Sequence, residues 1–146
     1  MAEQAQGGKL IVSTTRIVVL CVAAGLLMLA PVGLAQEQGA QRTDDGMYLI
    51  SYESKLQPIT INRIHNWVVH VETSDGSPVD DAMVTLIGGM PGHDHGLPTM
   101  PLATQYLGDG DYLVEGMKFH MNGWWQITIS ITVESSYDSV TFDLQL

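Results

Sequence analysis

The chain is expected to fold as an all-β protein, an immunoglobulin-like antiparallel β-sandwich behind an N-terminal signal or anchor helix. Three observations lead there. After residue 46, bulky apolar residues recur at every second position, the period of a half-buried strand. Clusters of Gly, Pro, Asn and Asp cut this part into about seven short runs. No amphipathic helical repeat follows the first 35 residues, so alternating faces are best buried by opposing two sheets. A small closed barrel is the competing arrangement.

Residues 1–35 read as an export segment. Lys9 and Arg16 precede an apolar run over residues 17–29, and Pro31, Gly33 and Ala35 follow it. Basic, apolar and then small residues, in that order, make a secretory signal. Residues 17–35 also approach the roughly 20 residues that cross a bilayer as a helix. The segment is therefore either a signal peptide cut after Ala35 or an uncleaved inner-membrane anchor, with Pro31 and Gly33 favouring the cut. Both readings place the rest of the chain in the periplasm or another extracytoplasmic space. Cys21, the only cysteine, lies inside the apolar run behind Leu20, which is too large for a lipidation site. An exported domain without cysteine has no disulfide, no zinc-thiolate site and no thiolate nucleophile.

Residues 36–46 are polar and are expected to be a flexible linker to a domain over residues 47–146. Strands are expected over residues 47–53, 59–62, 67–72, 82–87, 112–119, 125–133 and 140–146. Trp67, Val69 and Val71 share one face of theirs. In the cleanest strand Trp125, Ile127, Ile129, Ile131 and Val133 alternate with polar neighbours. Asp75-Gly76, Asp109-Gly110 and Asn122-Gly123 mark turns, the last a hairpin signal. Residues 88–101 carry four glycines and three prolines and are expected to form one long irregular loop. Met83 and Met117, among apolar neighbours, are assigned to the core.

The net charge is −10. Two of the 6 basic residues and one of the 16 acidic ones precede Gln36, so the remainder carries four and fifteen, a net of −11. Such a domain repels nucleic acid and anionic lipid and meets cations or basic surfaces instead.

Chemistry concentrates between Met90 and Met121. His93 and His95 are separated by one residue, so an extended segment turns both imidazoles to the same side. Met90 and Met100 bracket them. His120 and Met121 stand at the end of a strand beside the Asn122-Gly123 turn, and His65 lies at the mouth of another. Imidazole nitrogen with thioether sulfur is a ligand set suited to copper in both oxidation states. His93, His95, Met100, His120, Met121 and His65 are the expected metal ligands, with Asp94 placed to orient an imidazole. His70 faces away from Val69 and Val71 and reads as a surface residue. Hydrolytic chemistry has little support: no serine has a nucleophile-elbow context, and Asp80-Asp81, Asp109 and Asp111 sit at turns. No enzymatic activity is expected.

Three stretches resemble the FixH-like, or YtkA-like, family of exported domains. They are Asn62-Arg-Ile-His65-Asn-Trp67; the run from Gly88 through His93-Asp94-His95 to Thr99; and Leu107 to Tyr112 with Gly116 to Trp125. The likeness extends from Pro58 to Leu146. It implies an immunoglobulin-like sandwich outside the cytoplasmic membrane and an accessory role, with copper handling or oxidase assembly among the family's associations. It marks His93 and His95 as the most metal-like positions and His120 less so. The expected function is thus an exported copper carrier or chaperone whose partners are a metal ion and a membrane protein. Two other readings stand beside it. One is a metal-free assembly module for a membrane complex such as an oxidase; the other is a small organic ligand binder using Trp67 and Trp124.

Overall fold

The computed structural model describes Met1 and residues 38–146. The export segment and its expected cut at Ala35 lie outside the described residues. Among the described residues no helix is long and apolar enough to cross a membrane. The described residues form nine strands: β1 Gln38–Arg42, β2 Tyr48–Ser54, β3 His65–Thr73, β4 Met83–Met90, β5 His95–Gly96, β6 Leu102–Gly108, β7 Asp111–Met117, β8 Trp124–Val133 and β9 Ser136–Gln145. All pairings are antiparallel, in the order β1-β2-β3-β7-β6-β4-β8-β9, with β5 on β4. β6 and β4 meet only at Leu102 and Thr85. The path therefore bends there into two layers, β1-β2-β3-β7-β6 and β4-β8-β9, which form the expected sandwich.

Alternation explains the packing. Trp67, Val69 and Val71 of β3 are fully buried, as are Trp125, Ile127, Ile129 and Ile131 of β8. Tyr52 of β2 stacks on Trp67 of β3 within one layer at 4.0 Å and joins the two layers by meeting Phe142 of β9 edge-on at 5.0 Å. Phe119 lies 5.2 Å from Trp125, also edge-on. Such pairs contribute about 0.5–1.5 kcal/mol beyond area burial. Asp138, buried in β9, accepts the Asp45 N–H at 3.1 Å and the Met47 N–H at 3.2 Å, tying the β1–β2 turn to the opposite layer.

Several expectations need correction. The stretch read as a linker contains β1, whose backbone is satisfied along β2. Residues 59–62 form no strand; Asn62 takes φ 62° and donates its N–H to the Phe119 carbonyl at 2.7 Å. The irregular loop is shorter than expected, because β4 continues through Gly88 and Gly89 to Met90 and β5 returns along it. Those glycines serve close packing instead of a turn: a Cβ on Gly88 would stand 2.7 Å from Ile127 Cδ1 and 2.8 Å from Leu97 Cγ. Asn122-Gly123 makes no hairpin, since β7 and β8 belong to different layers and the segment crosses between them. Met83 is 61% exposed, on the outer face of β4, whereas Met117 is fully buried as expected.

Candidate functional site

The β4–β5 hairpin builds one half of the site. Met90 pairs with His95, and the His93 N–H donates to the Met90 carbonyl at 3.0 Å. Asp94 closes the turn at φ 51°, a left-handed conformation that Asp tolerates better than most residues. His93 and His95 consequently stand exposed on the rim, their ring centroids 6.3 Å apart and nearly parallel.

The other half comes from the β7–β8 crossing. Phe119 is fully buried and its carbonyl is held by Asn62, which fixes the next residue, His120. The His120 ring lies 5.6 Å from that of His95, at 80°, and rests on Trp125 at 5.4 Å. Its Nδ1 is buried and has no hydrogen-bond partner. A buried polar atom without a partner costs about 1–3 kcal/mol, and Tyr52 OH and Thr99 Oγ1 are in the same position.

Imidazoles sharing one ion hold it at about 2.0–2.1 Å, which sets their ring centroids roughly 5–6.5 Å apart. Both histidine pairs fall within that interval. No three His, Cys, Asp or Glu side chains among the described residues converge on a common point as they stand. The rings of His95 and His120 are therefore close to one another at the rim, with the exposed ring of His93 beside them.

The remaining expected ligands are placed as follows. Met121, next to His120, packs half-buried against the core, and its carbonyl accepts the Trp125 Nε1–H at 3.1 Å. Met100 is 93% exposed and lines a different depression with Leu86, Leu97 and Pro101. His65 is not free to bind: Nδ1 donates to the Arg63 carbonyl at 3.1 Å, and Nε2 accepts from Trp67 Nε1 at 3.2 Å. Burial lowers its pKa, partly opposed by the Arg63 hydrogen bond. His65 is thus the acceptor for a buried indole, and its expected place among the ligands is withdrawn.

Met90, outside the expected ligand set, is buried in the core and borders a depression of about 460 Å³ that Asp94, His95, Gln126 and Thr128 also line. Its methyl lies against Gly123, where a Cβ would come within 2.8 Å. The signal was the four-residue gap between Met90 and His95, which fits a hairpin loop.

His70 occupies the outer face of the other layer. Nδ1 donates to Asp111 at 2.7 Å, and Nε2 faces Glu72 at 3.2 Å. Burial pulls its pKa down, but the hydrogen bonds and charges of the two carboxylates outweigh that and raise it.

No match is found among curated proteins or among solved structures. The YtkA-like family profile matches residues 50–130, more than half of the chain, spanning β2 through most of β8 and with them every imidazole of the rim. The chain belongs to the YtkA-like family.

Proposed function

We propose that this domain is an exported, non-catalytic copper carrier that holds one ion between His95 and His120, with His93 and the thioether of Met90 or Met121 completing the ligand set. The observation that carries the reading is the His95–His120 pair. Two imidazoles from separate segments stand 5.6 Å apart, with a third, exposed imidazole, His93, beside them. Imidazoles hold Cu(II) and thioethers favour Cu(I), so the mixture suits a site that must load and release. The rim sits on a short hairpin over a rigid sandwich, where exposed ligands can exchange onto a partner. The acidic surface attracts the cation, and a membrane protein that needs copper is the fitting recipient.

The test is the double variant His95→Ala/His120→Ala. Calorimetric titration with Cu(II), and competition against a Cu(I) chelator, should show a loss of affinity of more than about 100-fold. His95 is exposed but His120 packs on Trp125, so a modest fall in melting temperature is expected, and near-ultraviolet circular dichroism checks that the fold is kept. Trp125, in contact with His120, should be quenched by Cu(II) in the parent and not in the variant. Unchanged affinity in the variant refutes the site.

A further inference from the structure

The two outer faces of this sandwich carry very different charge. The face of the β2-β3-β7 layer presents Glu53, His70, Glu72, Asp111 and Glu115. Strands β4, β8 and β9 contain no Lys, Arg or Glu and only two Asp. One of these, Asp138, is buried. The other, Asp143, lies towards one end of the face, where Trp124 Nε1 donates to it at 2.8 Å and Gln126 Nε2 at 3.2 Å. The rest of that face is Gln145, Thr, Ser and exposed apolar side chains. Ile87 is 70% exposed, Met83 61% and Tyr137 59%, and Leu102 at the adjoining edge is 62% exposed. In register, Met83 neighbours Thr132 and Tyr137, while Ile87 neighbours Thr128 and Thr141.

A chain with a net charge of −10 has carboxylates to spare, yet this face has almost none. Depletion of charge around exposed aliphatic and aromatic residues is the composition of an interface core. The charge distribution also selects the occupant. A basic partner would be drawn to the acidic layer, whereas a second copy of this chain is repelled there and meets no such repulsion on the neutral face. We infer that the protein forms an isologous dimer through the outer face of β4-β8-β9. A ten-residue strand is about 33 Å long and three strands are about 14 Å wide, giving a footprint of about 450 Å² before side-chain relief. That is below the lower bound for stable specific interfaces, about 500–600 Å² per partner, so the dimer should be weak and concentration-dependent. The face borders the depression that Ile87 and Thr128 share with His95, so a dimer would cover part of the proposed copper rim, but the inference is argued from charge and exposure and does not rest on the copper reading.

The test is chemical cross-linking of the full chain. Cys21 is the only cysteine, so Cys21→Ser gives a clean background. Sheets packed face to face lie about 10 Å apart, which a bismaleimide of that length spans. Thr128→Cys, near the middle of the neutral face, should cross-link into a dimer at least about five times more efficiently than Leu113→Cys on the acidic face. Adding Ile87→Glu to Thr128→Cys should remove most of the product, and Met83→Glu should do the same, with near-ultraviolet circular dichroism confirming that the fold is kept. Equal yields from both faces, no dimer at millimolar concentration, or a yield indifferent to both glutamates in folded protein would overturn the inference. Cross-linking that persists in the His95→Ala/His120→Ala variant supports this interface even if the copper site fails.

Discussion

Gly88→Ala tests the packing that positions the histidine hairpin. The added methyl would lie 2.7 Å from Ile127 Cδ1, 2.8 Å from Leu97 Cγ and 2.9 Å from Leu97 Cδ1. Carbon atoms prefer about 3.5–4.0 Å, so these neighbours must retreat by nearly 1 Å. Ile127 is fully buried and cannot do so freely. Overpacking of this kind costs about 1–3 kcal/mol, while losing a glycine from the unfolded chain returns about 0.4–1 kcal/mol. The net expectation is a destabilisation of about 1–2 kcal/mol, or roughly 5–10 °C in melting temperature for a domain of this size. Leu97 also donates its N–H to the Gly88 carbonyl at 3.0 Å, so its retreat should shift β5 and weaken copper binding at His95. Gly92→Ala is the control. It has open space around its Cβ position and lies in the same hairpin, so it should be neutral or raise the melting temperature slightly. Thermal unfolding followed by circular dichroism reads both variants. A Gly88→Ala protein that melts at or above the parent would show that the glycine is not there for close packing.

The two engaged histidines should respond to pH in opposite directions. The pKa of His70 is raised by Asp111 and Glu72, so its contribution is complete below the unfolded value of about 6.5 and is lost as pH rises through the folded value. Denaturant titrations across pH 6–9 should show this decline in the parent and not in His70→Gln. Burial lowers the pKa of His65, so its contribution is complete above about 6.5 and is lost as pH falls through the folded value. His65→Ala leaves the Trp67 indole N–H without an acceptor, at a cost of about 1–3 kcal/mol in addition to the cavity. Its copper affinity, measured by calorimetry, should match that of the parent.

The alternation that marks β2, β3 and β8 in the sequence arises because one face of each is buried, and those strands were legible for that reason. β6 lacks the signal because most of its side chains face solvent at both parities. β1 is held by backbone pairing and carries no bulky apolar residue at all. Met83 was misplaced because the run from Met83 to Ile87 has apolar residues at both parities; the burial of Val84 and Leu86 decides the matter and turns Met83 outward. Glycine misled in a different way. It permits turns and it permits close approach, and at Gly88 only the position of Ile127 on a strand almost forty residues away distinguishes the two uses.

The same limit governs the site. His93 and His95 do share a rim, but not through the extended segment that their spacing suggested: residues 91–94 form a turn with Asp94 at φ 51°. What brings His120 to them is the pairing of β4 with β8, in which Gly89 stands opposite Gln126. That register sets the end of β4 beside the start of β8, and so sets the β4–β5 hairpin beside the crossing that carries His120. No local period in the sequence encodes a pairing between segments so far apart. His65 shows the converse, since its hydrogen bond to Trp67 is local, two residues along one strand, and once Trp67 is buried its indole N–H requires an acceptor. A histidine two residues before a buried tryptophan on the same strand is therefore better read as that acceptor than as a ligand.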